Sequence, residues 1–244
     1  MKPTMSDLVR GACSFLFVPA THPARLPKAL ASGADVVIAD WEDAVAPADK
    51  PAARDALAQA VAGLDDAQRA RVLVRINAEG TPWFADDLRA LAALVVQGCA
   101  GAVVPKAESA ATLHAVAQSA GAQATLVALV ESVAGLDAVE ALASAPQVAR
   151  LAFGHLDFQV DAGIACGDDE AELLPIRMAI VPSQPSIARS WLRPTFIRAT
   201  SGVPSQTCRM VPTRAPTPGF AETQPATTDL ARASGGAAAS TLAV

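Results

Sequence analysis

Two carboxylates in this sequence stand where a hard cation could be held. Glu131 directly follows the uncharged run ATLVALV, and Asp157 follows LAFGHL. Carboxylates from two adjacent strand ends can share one cation through oxygen ligands, with waters and a substrate completing an octahedron, the usual way of holding Mg²⁺. Arg75, at the end of another apolar run, offers a bidentate fork to a substrate carboxylate or a polarised carbonyl. A cation and a guanidinium facing one oxygen stabilise an enolate as it develops, the central need of aldol and Claisen-type carbon–carbon cleavage. Asp40, Glu42 and Asp43 bring three more acids to the end of a neighbouring run. Asn77 lies beside Arg75, and Lys106, Glu108 and His155 occupy similar positions.

Each of these residues also has a plainer reading. Glu131 can be an acid favoured by the dipole at a helix N-terminus, and Asp157 a loop cap. Arg75 can pair with a nearby carboxylate, and Asp40, Glu42 and Asp43 can form a solvated turn. Lys106 reads as a structural partner for an acid rather than a Schiff-base lysine, and His22 and His155 read as structural. His114 lies on a surface helix pattern and takes no role.

The elements that must position these side chains follow a repeating rhythm. Apolar runs bounded by turn residues occur at 14–18, 36–39, 72–76, 101–104, 125–130 and 150–153. Each is short and nearly continuous, as a strand buried on both faces should be. Helical patterns lie between them at 23–32, 49–63, 83–97, 109–120 and 135–145. Strand starts are separated by roughly 22 to 36 residues, the size of a βα unit. Six consecutive units imply a parallel sheet with right-handed crossovers, either an open doubly wound sheet or a closed barrel. The polar residues at nearly every strand end favour the barrel, where such ends converge on one mouth. Neither a Gly-x-Gly-x-x-Gly fingerprint nor a phosphate-binding Gly-rich loop is present.

Composition narrows the function classes. The 244 residues are 52% hydrophobic and 18% charged with a formal net charge of −5, enough for one sizeable core and too apolar for a disordered chain. The acidic balance and the 4% aromatic content argue against nucleic-acid binding. No stretch approaches the 18 or so apolar residues of a membrane span, and no signal-peptide pattern opens the chain. Cys13, Cys99, Cys166 and Cys208 are too scattered for a metal site, so a reduced, cytoplasmic compartment is expected.

The chain divides near residue 181. Residues 1–181 carry the βα rhythm, whereas 182–244 hold only two acids, Glu222 and Asp229, with eight prolines and no apolar period. This C-terminal segment is expected to be coil, or at best a few short pieces. Its composition resembles a GC-rich gene translated in a shifted frame. The fold class expected is therefore α/β: a TIM-type (β/α)8 barrel truncated after about six βα units, with an irregular tail and two open sheet edges.

The stretches SFLFVPATHPARLPKALASGADVVIADWEDAVAPADKPAAR, VRINAEGTPWFADDL, VVPKAES, LVALVESVAGL and LAFGHLDFQVDAGI resemble the citrate lyase β-subunit/malyl-CoA lyase family, in its order and spacing, over roughly residues 13–181. The resemblance implies a β/α barrel, commonly trimeric, that uses Mg²⁺ to cleave or form 3-hydroxyacyl thioesters such as citryl-, malyl- or citramalyl-CoA. It implies Glu131 and Asp157 as metal ligands, with Glu131 also on the substrate side, and Arg75 as the substrate-binding arginine. Asp40, Glu42 and Asp43 line the same catalytic mouth, and Arg25 and Lys28 are assigned to the CoA or substrate side. The implied partner is an acyl-CoA or acyl-carrier thioester, in a homo-oligomer.

The sequence departs from the family pattern in two places. Cys13 stands where the family usually has an arginine, and the last two βα units and C-terminal lid are not recognisable after residue 181. Two alternatives therefore stand beside the thioester lyase. One is a metal-dependent 2-keto acid aldolase on the same barrel. The other is a family member without turnover that acts only as a binding protein.

Overall fold

The computed structural model describes residues 4–183 and two short strand segments, 196–198 and 241–243. Six strands run parallel in sequence order: β1 (Phe15–Pro19), β2 (Val36–Asp40), β3 (Val72–Arg75), β4 (Gly101–Val104), β5 (Thr125–Val130) and β6 (Val148–Gly154). They curl into a half-barrel of the TIM type, backed by helices on the outside. Beyond β6 the sheet changes character. β8 (Thr241–Ala243) pairs antiparallel with the end of β6, and β7 (Phe196–Arg198) pairs antiparallel with β8. Among the described residues there is thus no seventh or eighth parallel strand, and the free edge of β6 is met by a different pairing. The rest of the 182–244 segment, with Cys208, lies outside the described residues.

The strands form where an apolar run has no polar face to expose. Every residue of β2 to β6 is buried, and each fully buried leucine or valine contributes roughly 1.5–3 kcal/mol relative to an exposed one. Alternation divides the strand side chains between two layers. Val37, Ala39, Val72, Val74, Ala128, Val130 and Phe153 face the helices. Phe15, Val36, Ile38, Leu73, Val103, Val127 and Leu129 fill the barrel interior.

The outer helices begin with α2 (Leu26–Ala31), α3 (Lys50–Ala62), α4 (Asp66–Arg69), α5 (Phe84–Val96) and α6 (Ala110–Ala120). In α3 the buried positions Ala53, Leu57 and Val61 recur every four residues, giving one apolar stripe toward the sheet. The single helix expected over 135–145 is two short ones, α7 (Val133–Asp137) and α8 (Val139–Ala143), broken at Ala138. The break turns α8 so that Val139 and Leu142 are buried in the outer core layer. Helix α9 (His155–Ala162) starts directly at the end of β6, and α10 (Leu174–Ser183) runs through Pro182, past the compositional boundary.

An N-terminal helix, α1 (Met5–Gly11), closes the lower end of the barrel, inserting Val9 beside the interior layer. The Arg150 guanidinium reaches beneath it and donates to the carbonyls of Val9 (3.3 Å), Arg10 (3.4 Å) and Ala12 (2.6 Å). These carbonyls lie at the helix C-terminus, where intrahelical donors run out, and that of Val9 also accepts the Ala12 amide at 3.4 Å. No described helix is long and apolar enough to cross a membrane.

Candidate active site

Strand alternation lifts three charged side chains to the mouth. Asp40, Arg75 and Glu131 each lie two residues beyond an interior apolar residue, Ile38, Leu73 and Leu129, and so point to the same side. Register then decides who meets whom. Asp40 on β2 stands opposite Arg75 on β3, and the pair forms a fork: Nε to Oδ1 at 2.8 Å and Nη2 to Oδ2 at 2.7 Å. The remaining guanidinium nitrogen, Nη1, lies 3.0 Å from both Glu42 Oε2 and Asp43 Oδ2. Phe17 from β1 supports the guanidinium with its ring centroid 5.1 Å away. Asp40 also accepts the amides of Glu42 (2.9 Å) and Ala44 (3.2 Å), folding the acid loop over its own strand end.

Burial governs the electrostatics. It pushes Glu42 up to about 8 against the pull of Arg75, with Asp43, Glu131 and Asp40 adding to the rise. It also raises Glu131 to about 7, opposed by the hydrogen bond from the Lys106 amide and reinforced by the charge of Asp157. Burial draws Arg75 down, but the hydrogen bonds and charges of Asp40, then Glu42 and Asp43, leave it raised overall.

Glu131 is held from several sides. The backbone amide of Lys106 donates to its Oε1 at 2.7 Å, and Lys106 takes a left-handed φ of 44° to do so. The lysine thus serves the acid chiefly through its backbone amide, with its charge adding a smaller pull in the same direction. The segment after Glu131 is laced to both neighbours. Ser132 Oγ donates to Glu108 at 2.7 Å, and the Val133 amide donates to Asp161 of α9 at 2.8 Å. Gly154 leaves the space Glu131 fills: a Cβ there would stand 2.7 Å from Glu131 Oε2 and 2.9 Å from its Cβ. Asp157 is exposed in the first turn of α9, close enough for its charge to act on Glu131.

The structure therefore brings Asp40, Glu42, Asp43, Arg75, Glu131 and Asp157 into one mouth. Arg25 and Lys28 are exposed on the segment following β1, outside the cluster. His155 is buried with Nε2 3.1 Å from Glu170, His22 bonds Thr21, and His114 is exposed on α6. Sequence reasoning placed Asn77 at a strand end but missed Lys50, Asp87 and Arg54, which with Asn77 form a buried, hydrogen-bonded layer behind the acid loop. The signal available was Lys50 and Arg54, four residues apart on one helix face.

Two neighbouring carboxylates, one buried and with its ionisation made costlier by the charge of the other, fit a divalent cation, which would relieve that cost. Among the described residues no group of three or more His, Cys, Asp or Glu is gathered as a metal site. Mg²⁺, which keeps several waters and takes one or two carboxylates, suits a pair better than the larger cages other metals use.

Residues 13–187 match the model of the HpcH/HpaI aldolase/citrate lyase family. The chain belongs to this family. Among its relatives, a citrate lyase subunit beta-like protein of Mycobacterium tuberculosis is 41% identical over 149 residues, covering 61% of this chain and 50% of that protein. An L-malyl-CoA/beta-methylmalyl-CoA lyase of Cereibacter sphaeroides is 34% identical over 159 residues, with the same coverage of 61% and 50%. The chain spans about half the length of these curated relatives. Among solved family structures, the M. tuberculosis citrate lyase β subunit complexed with oxaloacetate and magnesium aligns with a TM-score of 0.61 at 37% identity, over 72% of this chain and 75% of that one. The M. tuberculosis protein CitE in complex with magnesium, acetoacetate and coenzyme A aligns with a TM-score of 0.60 at 37% identity, over 71% and 62%.

Proposed function

We propose that this chain is a Mg²⁺-dependent carbon–carbon lyase that cleaves or forms a short 3-hydroxyacyl thioester of the citryl-, malyl- or citramalyl-CoA kind. The observation that carries the reading is the Glu131–Asp157 pair within electrostatic reach of an arginine already seated in a carboxylate fork. Glu131 and Asp157 would hold the cation, which when bound supplies a Lewis acid for a substrate oxygen. Arg75 orients the carboxylate or carbonyl of the oxo-acid half. Asp40 keeps the fork in place, while Asp43, with a side chain 71% exposed, is the partner a substrate can replace. Cleavage needs the hydroxyl to lose a proton as the carbon–carbon bond breaks and the thioester's α-carbon to gain one. Glu42, half-buried beside Arg75 with its pKa pushed up to about 8, is the carboxylate suited to move that proton.

Arg25 and Lys28, exposed cations on the rim, are assigned to the phosphates of CoA or the substrate side. Relatives named as malyl-CoA lyase and a neighbour bound to magnesium and coenzyme A support this substrate class. By the same reading the chain works in the cytoplasm as a homotrimer on an acyl-CoA or acyl-carrier thioester.

The test is cleavage of malyl-, citramalyl- and citryl-CoA by the purified chain, followed by release of the shorter acyl-CoA, with Glu131→Ala as control. Turnover that needs Mg²⁺ and is lost in the variant is expected. A folded chain that cleaves none of the three overturns the reading. A second reading has its own observation: the described sheet has six parallel strands, not eight. On that reading the chain binds Mg²⁺ without turnover, and calorimetric titration of the same preparation separates the two.

Gly154→Ala probes the ligand seat without touching a ligand. The added methyl displaces Glu131, so Mg²⁺ affinity is expected to fall about 10- to 100-fold, the range for losing support of a metal ligand. Overpacking should cost about 1–3 kcal/mol in urea unfolding. Unchanged Mg²⁺ affinity would show that Glu131 is not seated there by the missing side chain.

A further inference from the structure

Lys50 breaks a local rule. It opens helix α3, where a cation meets the positive end of the helix dipole, and it is only 4% exposed. Such a placement is costly unless every ammonium donor is satisfied. Here all three are: Nζ donates to Trp41 O at 2.9 Å, to Glu42 O at 3.0 Å and to Asn77 Oδ1 at 2.6 Å. It also lies 4.7 Å from the centroid of the Trp83 ring. Two of the three acceptors belong to the acid loop itself. Asn77 ties the tripod down, donating to Trp41 O at 3.2 Å and twice to Asp87 Oδ2, at 2.7 and 2.6 Å. Asp87 is in turn fixed by Arg54 at 2.7 Å. The loop is thus held on its amide side by Asp40 and on its carbonyl side by Lys50.

We propose that Lys50 is a positioning residue of the reaction: by gathering the carbonyls of Trp41 and Glu42 onto its ammonium, it keeps the Glu42 and Asp43 carboxylates in reach of Arg75. Lys50 touches neither carboxylate and acts through the loop backbone. Asn77 and Asp87 are its anchors, and Arg54 neutralises Asp87 beneath them. The catalytic consequence rests on the lyase reading, and the effect on the loop does not.

The test uses the full chain carrying Lys50→Met, with Lys50→Gln as a gentler variant that keeps a donor without the charge. Backbone hydrogen exchange read by mass spectrometry is the primary measurement. Exchange of the peptide spanning 41–49 is expected to rise at least about tenfold in Lys50→Met and less in Lys50→Gln, since hydrogen bonds from a charged donor are lost. Peptides of β4 and β5 should be unchanged, and Mg²⁺ affinity by calorimetry should stay within about threefold, because the carboxylates assigned to the cation stand just past β5 and in α9, away from the acid loop. With malyl-CoA, kcat should fall by about tenfold or more with KM nearly constant, the pattern expected when Glu42, on the lyase reading the group that moves the proton, is displaced from Arg75.

Exchange that rises uniformly over the barrel would reduce Lys50 to a general stabiliser and overturn the proposal. An unchanged 41–49 peptide would overturn it too, as would a loosened loop with kcat intact. If the wild-type chain turns over no thioester, the lyase reading fails, while the exchange measurement still decides whether Lys50 holds the loop.

Discussion

Glu131→Ala is expected to abolish Mg²⁺-dependent turnover and to remove the stabilisation that Mg²⁺ confers on the fold. A cation that binds only the native state stabilises it by about 2.7 kcal/mol at a hundred times its Kd, so the wild-type melting temperature should climb with added Mg²⁺. The variant has lost one of two carboxylates, and Asp157 alone is an exposed acid on the first turn of α9. Its melting temperature should therefore be flat in Mg²⁺. Without cation the variant's stability should stay close to that of the wild type, because relief of a buried, penalised charge is offset by the Lys106 amide losing its acceptor. Differential scanning fluorimetry across a Mg²⁺ series, with calcium as comparison, is sufficient. A Mg²⁺-dependent rise that survives in Glu131→Ala would move the cation site elsewhere.

Arg75→Met carries the second large effect, on stability as well as chemistry. It leaves Asp40, 3% exposed, with its two amide donors but without its fork, and leaves Glu42 and Asp43 with no guanidinium. Breaking one side of a buried ion pair costs about 3–5 kcal/mol, chiefly from the stranded charge. The two loop amides keep Asp40 partly satisfied, so the lower end of that range is expected in urea unfolding at neutral pH. Arg75→Lys keeps the charge but not the fork, and should fall between the wild type and Arg75→Met. The double variant Asp40→Asn/Arg75→Met should recover part of the loss, since no full charge is then left in the fork. Turnover in Arg75→Met should drop by about 10²–10³, the range for losing a preorganised donor to a developing oxyanion. A variant as stable as the wild type would mean that the fork contributes little to the fold.

Much of the scaffold was legible because strands buried on both faces have no polar alternation to obscure them. β4 and β5 lie where the apolar runs 101–104 and 125–130 put them. Helix α1 was not legible: it is seven residues long and buries only Val9, too little for a periodic signal. The break at Ala138 was equally silent, because packing of α8 on the sheet, and not the helical period, decides where the segment bends.

The sequence by itself determined that five of the six strand ends would carry polar residues, and which ones, since that depends only on where each apolar run stops. Membership of the family was likewise readable from the order and spacing of its motifs. Only the tertiary structure decided the pairings. Asp40 meets Arg75 across a distance of 35 residues because the register of β2 against β3 sets them opposite each other. Lys50 reaches the acid loop because α3 folds back over the strand ends, and Glu131 fits because residue 154 has no side chain. Residue types and local periods are encoded along the chain, but register, close approach and the sharing of one charge by several partners exist only once distant segments are packed together.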